Sequence, residues 1–288
     1  MIYIAAIVFM TALTAVLTSL LWLAHRTLQV REDPRIDSVE AMLPHANCGA
    51  CGYPGCRAFA EALVSGVTLP GQCSVSDDAG RVRIARYLGV EVGNVVKRVA
   101  RLACAGGSNV AADRAVYTGL PSCRAAAQVG GGGKGCAWGC LGLGDCAEAC
   151  QFDALHMNEH RLPVVDEARC TACGDCVRAC PKDLFSIHTV DDQLWVACRN
   201  LEAGDDVLQH CQVGCTGCGR CAMDAPEGSV EIIDNLAVVH YDAGAQDKNA
   251  IERCPTGAIV WIEKDGQVTK GVASPKIIRR NPLQTMAS

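Results

Sequence analysis

From Cys215 to Pro226 the chain reads CTGCGRCAMDAP, with thiols repeating at two-residue intervals. That spacing matches an iron–sulfur ligand run, whose bacterial form is C-x2-C-x2-C-x3-C-P. Ala225 stands where the fourth cysteine belongs, yet Pro226 after it is kept. The whole chain carries 20 cysteines in 288 residues. Most are bunched at two- and three-residue intervals, too tightly for pairwise disulfides and suitably for one metal centre per bunch. Metal-bound thiolates place the protein in a reducing compartment. With 5% aromatic residues a large conventional core is not expected, and a net charge of −5 argues against a nucleic-acid partner.

An earlier bunch, NCGACGYPGC, supplies Cys48, Cys51 and Cys56, with Cys73 further along. Gly49, Gly52 and Gly55 let the backbone wrap closely around a bulky group. RAFAEALVSG then reads as a helix ended by Gly66, so Cys56 precedes a helix N-terminus, a favourable place for an anionic cluster. Spacing alone leaves a structural zinc site open here.

The second half contains an internal repeat. CAWGCLGLGDCAEACQ, from Cys136, aligns with CQVGCTGCGRCAMDAP, and CPKDLFSI aligns with CPTGAIVW. Each copy reads as ligand run, β-hairpin, second ligand run. In such modules the fourth cysteine of each run serves the other run's cluster. In the first copy Cys170, Cys173, Cys176 and Cys180 form a regular run. The other run has Cys140, Cys146 and Cys150, with Leu143 out of pattern and Cys136 upstream as the substitute. The expected ligand sets are Cys136, Cys140, Cys146, Cys180 and Cys150, Cys170, Cys173, Cys176. In the second copy Cys215, Cys218, Cys221 and Cys254 survive, while Ala225, Gly244, Asp247 and Ala250 replace the rest. The survivors are the full set for one cluster, so this copy is read as a one-cluster module. The expectation is four [4Fe–4S] clusters. Cys104, Cys123, Cys198 and Cys211 are left over, as small buried residues, a further metal site or a redox pair. On the first of these readings Cys198→Ser leaves the iron content unchanged, whereas Cys254→Ser abolishes one cluster.

These ligands need elements to hold them. Ile2 to Ala24 is uncharged throughout, long enough as a helix to cross a bilayer. Arg26, Arg31 and Arg35 follow it, which puts the remainder on the cytoplasmic side by the positive-inside rule. The expected fold is α+β: one transmembrane helix (1–25), a small four-iron domain (32–92), a linker (93–134), a two-cluster module (135–190), a one-cluster module (191–264) and a basic tail (265–288). The stretch Arg81 to Cys104 is rich in arginine and reads as a solvated face, or as a surface for an acidic protein or an anionic membrane. QVGGGGKG lacks the first glycine and the Ser/Thr of a phosphate loop. With no dinucleotide fingerprint and no nucleophile in a catalytic setting, no complete active site is expected on this chain alone.

CGACGYPGC followed by Cys73 resembles the four-iron Fes domain, found in the B subunit of the Rnf complex and in some corrinoid proteins. The apolar N-terminus, EDPRIDSVEAMLP, GGGGKGCAWGCLGLGDCAEACQFDAL and CQVGCTGCGRC resemble the longer form of the Rnf B subunit, to about residue 262. The resemblance implies a single-pass protein of the bacterial cytoplasmic membrane. It further implies a part in a translocase that oxidises reduced ferredoxin, reduces NAD and moves sodium ions or protons. Its partners would be the other Rnf subunits, soluble ferredoxin and membrane lipid. A subunit of another membrane oxidoreductase, for example a quinone-linked one, and a membrane-anchored zinc protein are the alternatives.

Overall fold

A computed structural model describes residues 2–28 and 33–275. Helix α1 (Ile2–Leu28) is the one described helix long and apolar enough to cross a membrane. The hydroxyls of Thr11, Thr14, Thr18 and Ser19 donate to carbonyls four residues back, leaving no side-chain donor turned outward at those positions. Arg26 lies over the Trp22 ring at its C-terminal end.

Three helices build the first cysteine-bearing unit: α2 (Arg35–Met42), α3 (Cys56–Val64) and α4 (Asp78–Leu88). Val39, Leu43, Phe59, Leu63 and Ile84 form its small core. Arg57 Nη1 ties α3 to α2 through Asp37 and Glu40, at 3.0 and 2.8 Å. Asp77 caps α4 by accepting from Gly80 N at 2.8 Å, and Gly89, left-handed at φ 69°, ends it.

Strand β1 (Arg98–Leu102) follows, then α5 (Cys123–Gln128) and α6 (Asp145–Glu148). The first ferredoxin-like unit adds the hairpin β2 (Leu155–Met157) with β3 (Pro163–Val165), helix α7 (Asp175–Ala179) and strand β4 (Phe185–Thr189). The second comprises β5 (Leu194–Val196), α8 (Asp206–His210), α9 (Arg220–Asp224), the hairpin β6 (Val230–Ile233) with β7 (Leu236–Val239), and α10 (Asn249–Glu252). It ends in β8 (Ile259–Ile262) and β9 (Val268–Thr269). Its sheet runs β5-β8-β9, all antiparallel.

Residues 93–134 are not a linker. Strand β1 pairs antiparallel with β4, from Arg98 opposite Thr189 to Leu102 opposite Phe185. Its continuation then reaches both units: Ala103 N donates to Leu184 O at 2.8 Å and Ala105 N to Ala197 O at 2.9 Å. Trp195 Nε1 donates to Leu102 O at 2.9 Å. The segment is a seam between the two repeats, and its short strand had no hairpin partner in sequence to reveal it. Nor is the stretch from 265 a free tail at its start. Val268 pairs with Ile262, and Ala273 N donates to Glu252 O at 3.1 Å. The basic residues Lys276, Arg279 and Arg280 lie outside the described residues, as does Arg31.

Candidate metal centres

Cys48, Cys51, Cys56 and Cys73 surround one hollow, beside Asn47 and Phe59. Asn47 Oδ1 accepts from Cys56 N at 2.8 Å, so the side chain that caps α3 also fixes one thiol's position. Ser76 Oγ reaches Cys73 Sγ at 3.3 Å, and Arg81 Nε donates to Cys73 O at 3.1 Å. Buried Arg81 therefore steadies the backbone of the sequence-distant thiol.

Cys150, Cys170, Cys173 and Cys176 surround a second hollow. Ala100 N, on β1, donates to Cys170 Sγ at 3.4 Å. The third hollow is lined by Cys123, Cys140, Cys146 and Cys180. The crossed exchange is visible: Cys150 leaves its own run for the second hollow, and Cys180 joins the third. The expected place of Cys136 in this set is taken by Cys123. Asp145 is the cause. Its carboxylate accepts from Cys123 N, Ser122 Oγ and Arg124 N at 2.7, 2.9 and 3.1 Å, docking the start of α5 on the start of α6. That brings Cys123 beside Cys146. A lone cysteine at the head of an alanine-rich helix was the only sequence signal for it.

In the second repeat Cys215, Cys221 and Cys254 pack in one cluster, and burial pushes the Cys221 thiol up to about 12, with Cys215, Cys254 and Cys218 adding to it. Cys218 is the exposed member. The replaced positions have gone over to ordinary packing. Ala225 and Ala250 lie in the apolar core with Ile251, and Asp247 accepts from Asn249 N at 2.9 Å in a local turn. A single local device serves all three runs. Gly144, Gly174 and Gly219 adopt left-handed φ of 90, 81 and 73°, each capping a short helix whose second residue is a cysteine: Cys146, Cys176 and Cys221.

Cys136 lies instead in a fourth hollow, with Cys104, Cys198 and Cys211. Neither Cys104, Cys198 nor Cys211 belongs to a ligand run in sequence. Strand β1 delivers the first, the end of β5 the second and the end of α8 the third.

Burial dominates the thiol chemistry, raising Cys140, Cys146 and Cys176 to about 12. Such thiols keep their protons until a soft cation displaces them. Four thiols around a hollow, with N–H and O–H donors aimed at their sulfurs, fit an iron–sulfur cluster. A tetrahedral zinc at about 2.3 Å from each sulfur would need thiolates under about 4 Å apart. Among the described residues no three His, Cys, Asp or Glu converge in the manner of a single-ion site. The cysteines stand around spaces rather than points.

The hollows adjoin one another. Ser74, lining the first, donates from Oγ to the carbonyl of Thr171, lining the second, at 2.6 Å. Arg98 Nη2 donates to Ala50 O at 2.6 Å across the same junction. Buried Arg101 pairs with Glu167 at 2.6 Å. Arg81, Arg98 and Arg101 thus turn inward, while Arg83, Arg86 and Lys97 stay exposed, so half of the basic side chains of this stretch keep the solvated face that its composition suggests.

The FeS family model, for an Fe-S cluster, matches residues 43–75, and the 4Fe-4S dicluster domain model matches residues 135–184. The chain is 37% identical over 256 residues to the B subunit of the Na(+)-translocating ferredoxin:NAD(+) oxidoreductase complex of Acetobacterium woodii, covering 89% of this chain and 75% of that one. It is 37% identical over 240 residues to the B subunit of the ion-translocating oxidoreductase complex of Methanosarcina acetivorans, covering 83% and 91%. The proton-translocating counterpart from Clostridium ljungdahlii is 36% identical over 259 residues, covering 89% and 91%.

Proposed function

Because the chain belongs to the family of B subunits of ion-translocating ferredoxin:NAD oxidoreductase complexes, we propose that it is the membrane-anchored electron relay of such a complex. It takes electrons from reduced ferredoxin and passes them to partner subunits whose work moves ions. Sodium- and proton-translocating relatives are equally similar, so the coupling ion is left open. Bound [4Fe–4S] clusters supply one-electron carriers. The polypeptide's work is to hold them, set their potentials and shield them from water.

Four sets of thiols carry this reading: Cys48, Cys51, Cys56, Cys73; Cys150, Cys170, Cys173, Cys176; Cys123, Cys140, Cys146, Cys180; and Cys215, Cys218, Cys221, Cys254. Donors such as Ala100 N at Cys170 Sγ stabilise the more negative, reduced state and so raise a potential. Helix α1 anchors the chain, and Arg26 in its last turn and Arg35 beyond it favour a cytoplasmic placement of the cysteine-rich part. That is the side on which soluble ferredoxin circulates.

The observation that supports this most directly is the adjacency of thiol-lined hollows joined by short hydrogen bonds, as at Ser74 and Thr171. The test is rapid mixing of the anaerobically purified protein with reduced ferredoxin. Bleaching of the cluster absorbance within the turnover time of the complex is expected. A protein that carries its clusters but is reduced only by a quinol would overturn the assignment of the donor.

A further inference from the structure

We infer that Cys104, Cys136, Cys198 and Cys211 hold a fifth iron–sulfur cluster, seated between the two ferredoxin-like units and joining their clusters in one series. The inference rests on the reading of the other four sets as cluster ligands. Its first support is convergence: the four thiols line one hollow, as the thiols of three of the other sets line theirs. Four residues scattered over more than a hundred positions are brought to one place.

Charge gives a second, independent support. Lys134, only 9% exposed, lines this hollow and donates from Nζ to Gly106 O at 2.5 Å. Among the described residues no carboxylate lies within ion-pair distance of it. Burying an ammonium group with one carbonyl for company is costly. A cluster held by four thiolates is anionic, and beside it the buried cation is compensated.

The sulfurs are also met by donors. Buried Asn200 donates from Nδ2 to Cys136 Sγ and from its backbone N to Cys198 Sγ, each at 3.5 Å. Cys140 N donates to Cys104 Sγ at 3.5 Å, and Cys215 N to Cys198 Sγ at 3.3 Å. The last two donors are themselves ligand residues of the flanking sites, one in each unit. At Gly106 a β-carbon would stand 3.1 Å from Cys211 Sγ, so the loop passes close against that thiol. The seam strand sets the frame, through Ala105 N to Ala197 O at 2.9 Å and the bridge between Ala111 and Cys211.

The experiment is iron, sulfide and zinc counting on the full-length protein purified without oxygen, with redox titration followed by electron paramagnetic resonance. About 20 irons per chain are expected from five four-iron clusters, against about 16 from four. Cys198→Ser and Cys211→Ser should each remove about four irons and the same spectral component. Lys134→Met should keep the iron and move one midpoint to a more negative value, because a positive charge beside that cluster is gone. This variant decides the matter if the serine variants fail to fold: all midpoints unchanged overturns the inference. So does a wild-type count of about 16 irons, with or without one zinc, or an unchanged count in Cys198→Ser; each of these leaves the electron-relay reading standing. A wild-type protein without iron would sink both.

Discussion

The backbone N–H of Cys215 points at Cys198 Sγ across 3.3 Å. Cys215 opens the ligand run of the second repeat, and Cys198 lies at the end of strand β5, in the hollow between the repeats. On the opposite side Cys140 N makes the equivalent approach to Cys104 Sγ. A thiol of the inter-unit hollow therefore rests on a ligand residue of each neighbouring site.

Replacing Cys123 tests the corrected ligand set of the first repeat. Cys123→Ser should remove about four irons together with the spectral component that Cys146→Ser removes. Cys136→Ser should erase a different component. If the Cys136 and Cys146 variants lose the same component and Cys123→Ser loses none, the grouping around Asp145 is wrong.

The buried pair Arg101–Glu167 should be a large contributor to the seam's integrity. Glu167→Ala leaves a guanidinium that is 5% exposed without its carboxylate, a change that costs about 3–5 kcal/mol. The double variant Arg101→Met, Glu167→Leu should recover most of that loss. Anaerobic denaturant titration followed by far-ultraviolet circular dichroism measures both. Equal midpoints for Glu167→Ala and the wild type would count against the pair.

In the second repeat the loop that lost its cysteines is held by Gln246. Its Oε1 accepts from Leu194 N at 2.8 Å and its Nε2 donates to Asp191 O at 3.2 Å. Gln246→Ala should cost about 1–2 kcal/mol. Hydrogen exchange at the Leu194 amide should then speed up about 5–30-fold, if the loss falls on local opening. The iron content should not change, because no cluster is assigned there. Unaltered protection at Leu194 would show that packing of Ala250 and Ile251 holds the loop by itself.

Deleting residues 1–28 should release the protein to the soluble fraction when expressed without its partners, with the full iron complement retained. Helix α1 shares none of the three-dimensional cores that surround the thiols. A truncated protein that still sediments with membranes, or one that loses its iron, would separate the anchor from its assumed role.

Much of this was legible because a ligand run is a local object. Cys48, Cys51 and Cys56 lie within nine residues, and Cys170, Cys173 and Cys176 within seven, so spacing alone confines them around one group. The apolar N-terminus and the repeat are equally plain, since length without charge and recurrence of a motif need no partner to be read. The reading of the second repeat as a one-cluster module likewise rests on local alignment, because ligand crossing assigns Ala225, Gly244, Asp247 and Ala250 to one and the same site.

Tertiary structure decided what spacing could not. Cys104, Cys123, Cys198 and Cys211 stand alone in sequence, and a lone small residue looks the same whether it fills a core or faces a metal. Cys123 reaches its hollow because Asp145, more than twenty residues away, gathers the start of α5. Cys104 and Cys198 meet because β1 pairs with β4 and then runs on to touch the end of β5. Those pairings are long-range backbone hydrogen bonds, whose partners are chosen by packing of the whole fold and leave no periodic trace along the chain. The same packing turns Arg101 inward, where composition alone suggested a solvated surface.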